Sequence, residues 1–141
     1  MAASVITSIT VQNTLGIQEF HDLPASVVRQ QVEAIINDLQ PQIVKIGLLR
    51  RIDVVEALAD VLRRYKPRHI IYAPVLNSTK GEQLVSQKVY ETIQRELIPL
   101  CTIVLAPSDL PGQPARSPAR RHFRLLLCSR FLPYGRPHRV L

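Results

Sequence analysis

The chain has 141 residues, 46% hydrophobic and 21% charged, which is the length of one domain and the balance of an ordinary globular protein rather than a fibrous or disordered one. No run of about eighteen apolar residues occurs and the opening MAASVITSITVQNTLGI lacks the basic stretch of a secretory signal, so the reading is a cytoplasmic protein with no membrane partner. The net charge of +7 invites a nucleic-acid partner, but residues 1–105 carry 11 Lys and Arg against 10 Asp and Glu, while residues 106–141 carry seven Arg against the single Asp109. The basicity belongs to the tail, not to the body of the chain.

From Ile17 to Leu105 short β-rich runs alternate with amphipathic helical segments, the pattern of an α/β fold with a mostly parallel sheet and flanking helices. The spacing predicts a helix over Ala25–Leu39: Val28, Val32, Ile35, Ile36 and Leu39 share one face and Arg29, Gln30, Glu33 and Asp38 the other, with Pro24 in the first turn and Pro41 just past the end. IVKIGLL (43–49) is a near-continuous apolar run that predicts a parallel strand buried on both faces. Lys45 within it reads either as a strand-end residue reaching solvent along its stem or as part of a site. Gly47 predicts close approach of another group to the backbone.

A second helix is predicted from Asp53 to Lys66, with Val54, Val55, Leu58, Val61, Leu62 and Tyr65 on the buried stripe, Asp53 as N-cap, and Arg63, Arg64 and Lys66 at the end that favours cations. HIIYAPV (69–75) is a second strand, closed by Pro74 and followed by the polar loop LNSTKGEQL. A third helix spans about 86–97, with Val89, Ile93 and Leu97 at spacing four, and TIVLA (102–106) is a third strand. Ligands of open α/β sheets bind beyond the carboxyl ends of the strands, which directs attention to the segments after Leu49, after Ala73–Leu76 and after Leu105.

Beyond Ala106 the pattern stops. Residues 106–141 contain six Pro and seven Arg but no Lys or Glu, which predicts a domain over 1–105 followed by an irregular tail, disordered or translated out of frame, rather than an arm using Phe123, Phe131 or Tyr134 to stack on bases. The two cysteines, Cys101 and Cys128, have no CxxC spacing, and His21, His69, His122 and His138 are scattered, so neither a zinc site nor a disulfide framework is implied. Cys101 reads as a small apolar core residue.

No Walker motif or nucleophile elbow occurs. The segments AASVITSITVQNTLGI, VKIGLL and PVLNSTKGEQL, in that order with helices between them, resemble the hydroxymethylpyrimidine/phosphomethylpyrimidine kinases of thiamine biosynthesis over roughly residues 2–105. That resemblance implies a partial ribokinase-like three-layer α/β fold, truncated at both ends. It also implies phosphoryl transfer from ATP, with Mg²⁺, to a small-molecule pyrimidine and then to its monophosphate.

Carried over residue by residue, Gln12 in TVQNT matches the glutamine that hydrogen-bonds the aminopyrimidine, its amide donating and accepting in one plane; taken alone it is a polar strand-end residue. Thr10 falls at a neighbouring pocket-lining position, Leu48 stands where a methionine packs on the ring, and Val75 matches the valine of the family's DPVM. Outside that context Leu48 and Val75 are core residues.

The departures concern the nucleotide. The acid of the family's DPV is Ala73 here, which removes a carboxylate from the Mg²⁺–ATP region. The family's TPNxxEA is replaced by APSDLPGQPA, with Ser108 and Pro111 in place of the asparagine and glutamate. The segments that would supply the glycine-rich opening, the anion hole and the general base have no counterpart in the sequence, so no catalytic residue and no metal ligand is assigned, and the chain by itself is expected to be inactive. Two other readings remain open: a noncatalytic remnant that keeps part of a pyrimidine pocket, and a fragment of a pyridoxal-kinase-like enzyme. Strands without their neighbours expose an edge and apolar surface, which predicts self-association or a completing chain.

Overall fold

A computed structural model of the chain describes residues 2–78 and 81–105. Along the chain these form β1 (Ser8–Asn13), β2 (Gly16–Asp22), α1 (Ala25–Leu39), β3 (Ile43–Ile46), α2 (Ile52–Tyr65), β4 (His69–Tyr72), α3 (Gln87–Thr92) and β5 (Ile103–Val104). Strands β3, β4 and β5 make a parallel sheet in the order β3-β4-β5, with Ile43 opposite His69 and Ile71 opposite Ile103. This is the expected α/β architecture with a parallel sheet.

Alternation along these strands sets which residues meet the helices. Ile46, Ile70 and Tyr72 are buried in one core cluster with Val54, Val55, Leu58 and Leu62 of α2 and Val89 of α3, and Val44 and Val104 pack against it. Ile43, Lys45, Ile71 and Ile103 point to the opposite face and stay outside that cluster. The expectation that β3 is buried on both faces is therefore corrected: Ile43 is 59% exposed and Lys45 is exposed, because among the described residues the helices cover one face only. Lys45 takes the solvent reading. Strand β3 also stops at Ile46 rather than Leu49, and β4 at Tyr72 rather than Val75. Nothing lies within 4 Å of a Cβ built at Gly47, so the close approach predicted there does not occur.

Helices α1 and α2 end alike. Gln40 (φ 46°) and Lys66 (φ 53°) adopt the left-handed conformation and return their N–H groups to Ile36 and Leu62, and Pro41 and Pro67 then bar continuation. At the start of α2 the N-cap is Arg51, not Asp53. Asp53 lies in the first turn, where its carboxylate accepts from its neighbour Val54 N–H at 2.9 Å and from Arg51 at 2.9 and 2.6 Å. Pro24 likewise is the cap residue of α1 rather than part of its first turn.

The third helix begins as predicted, with the Ser86 hydroxyl accepting from Val89 N–H, but after Thr92 it widens into a π-helical turn (Ile93–Leu97) and closes as a 3₁₀ turn (Ile98–Leu100). Pro99 has no N–H to donate and its ring crowds the carbonyl four residues back, which accounts for the change of pitch. Ile93 and Leu97 remain fully buried, and Cys101 is buried as expected, its thiol donating to the Leu97 carbonyl at 3.3 Å.

The antiparallel hairpin β1-β2 is not among the elements predicted from the sequence. Its two-residue turn is closed by the Asn13 side chain, which accepts from Leu15 N–H at 2.8 Å, and by Gly16 at φ 140°. A bulge between Val11 and Gln12 shifts the register, so that Gln12 faces Ile17. Residues 2–8 run back beside α1, where the Gln31 amide both donates to the Ile6 carbonyl and accepts from its N–H at 3.1 Å. An apolar groove of about 670 Å³ lies between this segment, α1 and β3. The boundary placed at residue 105 and the reading of the 106–141 tail fall outside the described residues. Among the described residues no helix is long and apolar enough to cross a membrane.

Candidate functional site

Beyond the carboxyl end of β4 the backbone makes a small loop of its own. Leu84 N–H donates to Leu76 at 2.8 Å, Asn77 bridges Gln83, and Ser78 N–H donates to the Glu82 carbonyl at 2.8 Å, with Gly81 at φ 84° completing the reversal. The tip of the β1-β2 hairpin stands opposite. Between them opens a cleft of about 310 Å³ walled by Gln12, Asn13, Gly16 and Ile17 on the hairpin side and by Val75, Asn77, Glu82 and Leu84 on the loop side. This is the crevice that a parallel sheet offers a ligand.

The four residues singled out from the sequence do not all meet there. Gln12 and Val75 line the cleft together, both exposed, Val75 at 42%. Thr10 sits lower on β1, opposite Phe20, and is not among the cleft-lining residues. Leu48 lines the apolar groove instead, and its carbonyl accepts from the Thr7 hydroxyl at 3.1 Å. Asn13, Gly16, Asn77 and Glu82 were not assigned from the sequence. The signal that bears on the first two is the Asn-x-x-Gly spacing between the β-rich runs ITVQ and IQEF, a hairpin signature.

Two titratable groups are buried in the core near the end of β4 rather than in the cleft lining. Tyr72, 1% exposed at the end of β4, has its phenol pushed above the ordinary tyrosine range by burial, and burial pushes the Cys101 thiol up to about 12. Both stay neutral at physiological pH, so neither supplies a base or a nucleophile.

One cation holds the walls. Arg50, in the segment between β3 and α2, donates from Nε to both carboxylate oxygens of Asp22 (3.1 and 3.3 Å) and from Nη1 to the Leu84 carbonyl (2.8 Å), while its guanidinium lies 3.5 Å over the Phe20 ring.

The described residues do not fit a centre for Mg²⁺ and nucleotide phosphates. The position that the resemblance gives to a metal-associated acid is Ala73, no group of three His, Cys, Asp or Glu converges among the described residues, and the Glu82 carboxylate accepts from the Ser78 hydroxyl. No metal-dependent step follows from this geometry.

Comparison with known proteins gives a consistent result. Residues 1–108 match the phosphomethylpyrimidine kinase family. The chain is 39% identical over 102 residues to the hydroxymethylpyrimidine/phosphomethylpyrimidine kinase of Rhizobium meliloti, covering 72% of this chain and 38% of that protein, and 36% identical over 96 residues to the corresponding Bacillus subtilis kinase, covering 68% and 35%. Among solved structures it is similar to the phosphomethylpyrimidine kinase of Clostridium difficile, with a TM-score of 0.68 and 34% identity over 73% of this chain and 45% of that one. A pyridoxal kinase of Staphylococcus aureus, with a TM-score of 0.60 at 19% identity, shares the fold. The chain thus spans less than half the length of the relatives it matches. Its own sequence and fold show that it belongs to the phosphomethylpyrimidine kinase family.

Proposed function

We propose that this chain forms the pyrimidine-recognising part of a kinase that phosphorylates hydroxymethylpyrimidine and its monophosphate with ATP in cytoplasmic thiamine biosynthesis. The observation that carries the proposal is the meeting of Gln12 and Val75, distant in sequence, on opposite walls of one cleft beyond the sheet. A planar amide beside an apolar wall suits an aminopyrimidine: the amide donates to a ring nitrogen and accepts from the exocyclic amine, and Val75 and Ile17 exclude water from the ring faces.

Recognition and turnover separate in this reading. Of the cleft's described groups, Glu82 is the only carboxylate, and it is held by Ser78 at the loop; no group of residues that would hold a nucleotide's metal and neutralise developing charge converges among the described residues. The chain alone therefore binds pyrimidine without transferring phosphate, and a second copy or a completing chain covers its open sheet.

Calorimetric titration of the purified chain with hydroxymethylpyrimidine, with ATP hydrolysis and product formation followed in parallel, tests both parts. Saturable binding without phosphate transfer is expected. Phosphate transfer would show the active site to be complete in this chain, and absence of binding would overturn pyrimidine recognition. Pyridoxal as competitor should displace the pyrimidine poorly; displacement at equal concentration would favour a pyridoxal-type enzyme.

A further inference from the structure

The walls of the cleft are only partly rooted in the core. No residue of β1 or β2 is fully buried, the hairpin meeting the core through partly buried Ile17 and Phe20, and the loop joins it at its end through Leu84 and Val85 while residues 76–78 and 81–83 are held by local hydrogen bonds. Such segments open at low free-energy cost unless something ties them to the rigid part of the fold. Arg50 is placed to do so. It follows Leu49, which is 2% exposed in the core, and precedes α2, the most deeply buried helix.

From that anchored backbone its side chain reaches the two walls at once: the base of the hairpin through Asp22 and the face of Phe20, and the loop through the Leu84 carbonyl. Leu84 itself lines the cleft. The Arg50 and Asp22 side chains are 21% and 22% exposed, so solvent screens the pair far less than the chain's surface ion pairs. Two donors of the planar guanidinium are used, Nε on a carboxylate and Nη1 on a carbonyl, while its face lies on a ring, a combination that an ammonium cannot reproduce.

We infer that Arg50 is a positioning residue, a latch that sets the separation of the hairpin and loop walls and so the affinity of the cleft for its ring-shaped ligand. It does not itself line the cleft. The affinity arm of the test rests on the pyrimidine reading; the structural arm does not.

Amide hydrogen exchange of the full chain, read segment by segment, measures the latch without any ligand. Arg50→Gln should accelerate exchange in residues 12–17 and 76–84 together by about tenfold while α2 and β4 keep their wild-type protection. Arg50→Lys, with the charge but not the fork, should fall between. Asp22→Asn, which leaves the bond to Leu84 in place, should loosen the hairpin and spare the loop. In titrations with hydroxymethylpyrimidine the affinity should drop about tenfold for Arg50→Gln and recover in part for Arg50→Lys, since small displacements of binding groups are costly.

Unchanged exchange in both walls, or equal acceleration everywhere, would overturn the inference. Should Arg50→Gln fail to fold, Asp22→Asn still decides, because loosening confined to the hairpin supports the latch and wild-type exchange contradicts it. If the wild-type chain binds no pyrimidine while Arg50→Gln still frees both walls, the ligand assignment fails and the latch stands.

Discussion

Gln12 is exposed beside the bulge that interrupts β1-β2 pairing, so its side chain contributes to the cleft and little to the fold. Gln12→Ala should weaken hydroxymethylpyrimidine binding by about tenfold, the value of roughly 1–1.5 kcal/mol of hydrogen bonding, and leave the melting temperature within a degree or two; calorimetry and thermal unfolding on one preparation check both. Cys101 behaves oppositely. With burial holding its thiol up to about 12, peptide-resolved mass spectrometry after iodoacetamide at mild alkaline pH should find it unmodified in the folded chain and modified after denaturation.

Arg51 bonded to Asp53 lowers the Asp53 carboxyl below the ordinary aspartate value. A lowered carboxyl stabilises the fold at pH above the unfolded value, and that contribution disappears as pH falls through the lowered one. The pair is about half exposed, so Asp53→Asn should cost under about 1 kcal/mol at neutral pH, and the difference from wild type in denaturant melts should shrink toward acid pH. Of these residues only Cys101 was legible from its type; Gln12 and Val75 were singled out by the resemblance, since alone they read as a polar strand-end residue and a core residue. Leu48 could not be placed, because an apolar residue just after a strand fits a core, a groove and a ring contact equally well.

Among the elements, α2 is the hub, with seven buried residues. Leu62, 1% exposed, should cost about 2–5 kcal/mol on substitution by alanine, measured as a fall in the urea midpoint with the slope retained. The helices and parallel strands were legible because period 3.6 and continuous apolar runs are strong signals. The hairpin was not: β1 and β2 lie half out of the core, and their alternation is diluted by polar residues on both faces. The π and 3₁₀ turns were equally hidden, since Val89, Ile93 and Leu97 keep helical spacing through them and only Pro99 marks the change. Arg50 escaped notice for a related reason: its partners Asp22 and Leu84 are remote in sequence, and nothing local distinguishes it from Arg51.

At the scale of the molecule, the parallel sheet has one covered face and one bearing Ile43, Ile71 and Ile103. His69 N–H donates to Gln42 and Ala73 N–H to Ile46, so the backbone groups of Ile43 and Lys45 point away from β4, toward an edge with no strand partner among the described residues. Such an edge promotes pairing between chains. Light scattering coupled to gel filtration should find the purified chain self-associated at micromolar concentration. Lys45→Pro, which removes an outward N–H while sparing the ladder to β4, should shift it toward monomer. A monodisperse wild-type monomer would contradict this.

Two cavities compete for the role of ligand site, the larger apolar groove with Leu48 and the smaller cleft with Gln12 and Val75. Backbone amide shifts of the isotope-labelled chain titrated with hydroxymethylpyrimidine distinguish them. Saturable shifts at Gln12, Gly16, Val75 and Leu84 are expected. Shifts confined to Val32, Val44 and Leu48, or none at millimolar ligand, would contradict pyrimidine recognition by the cleft.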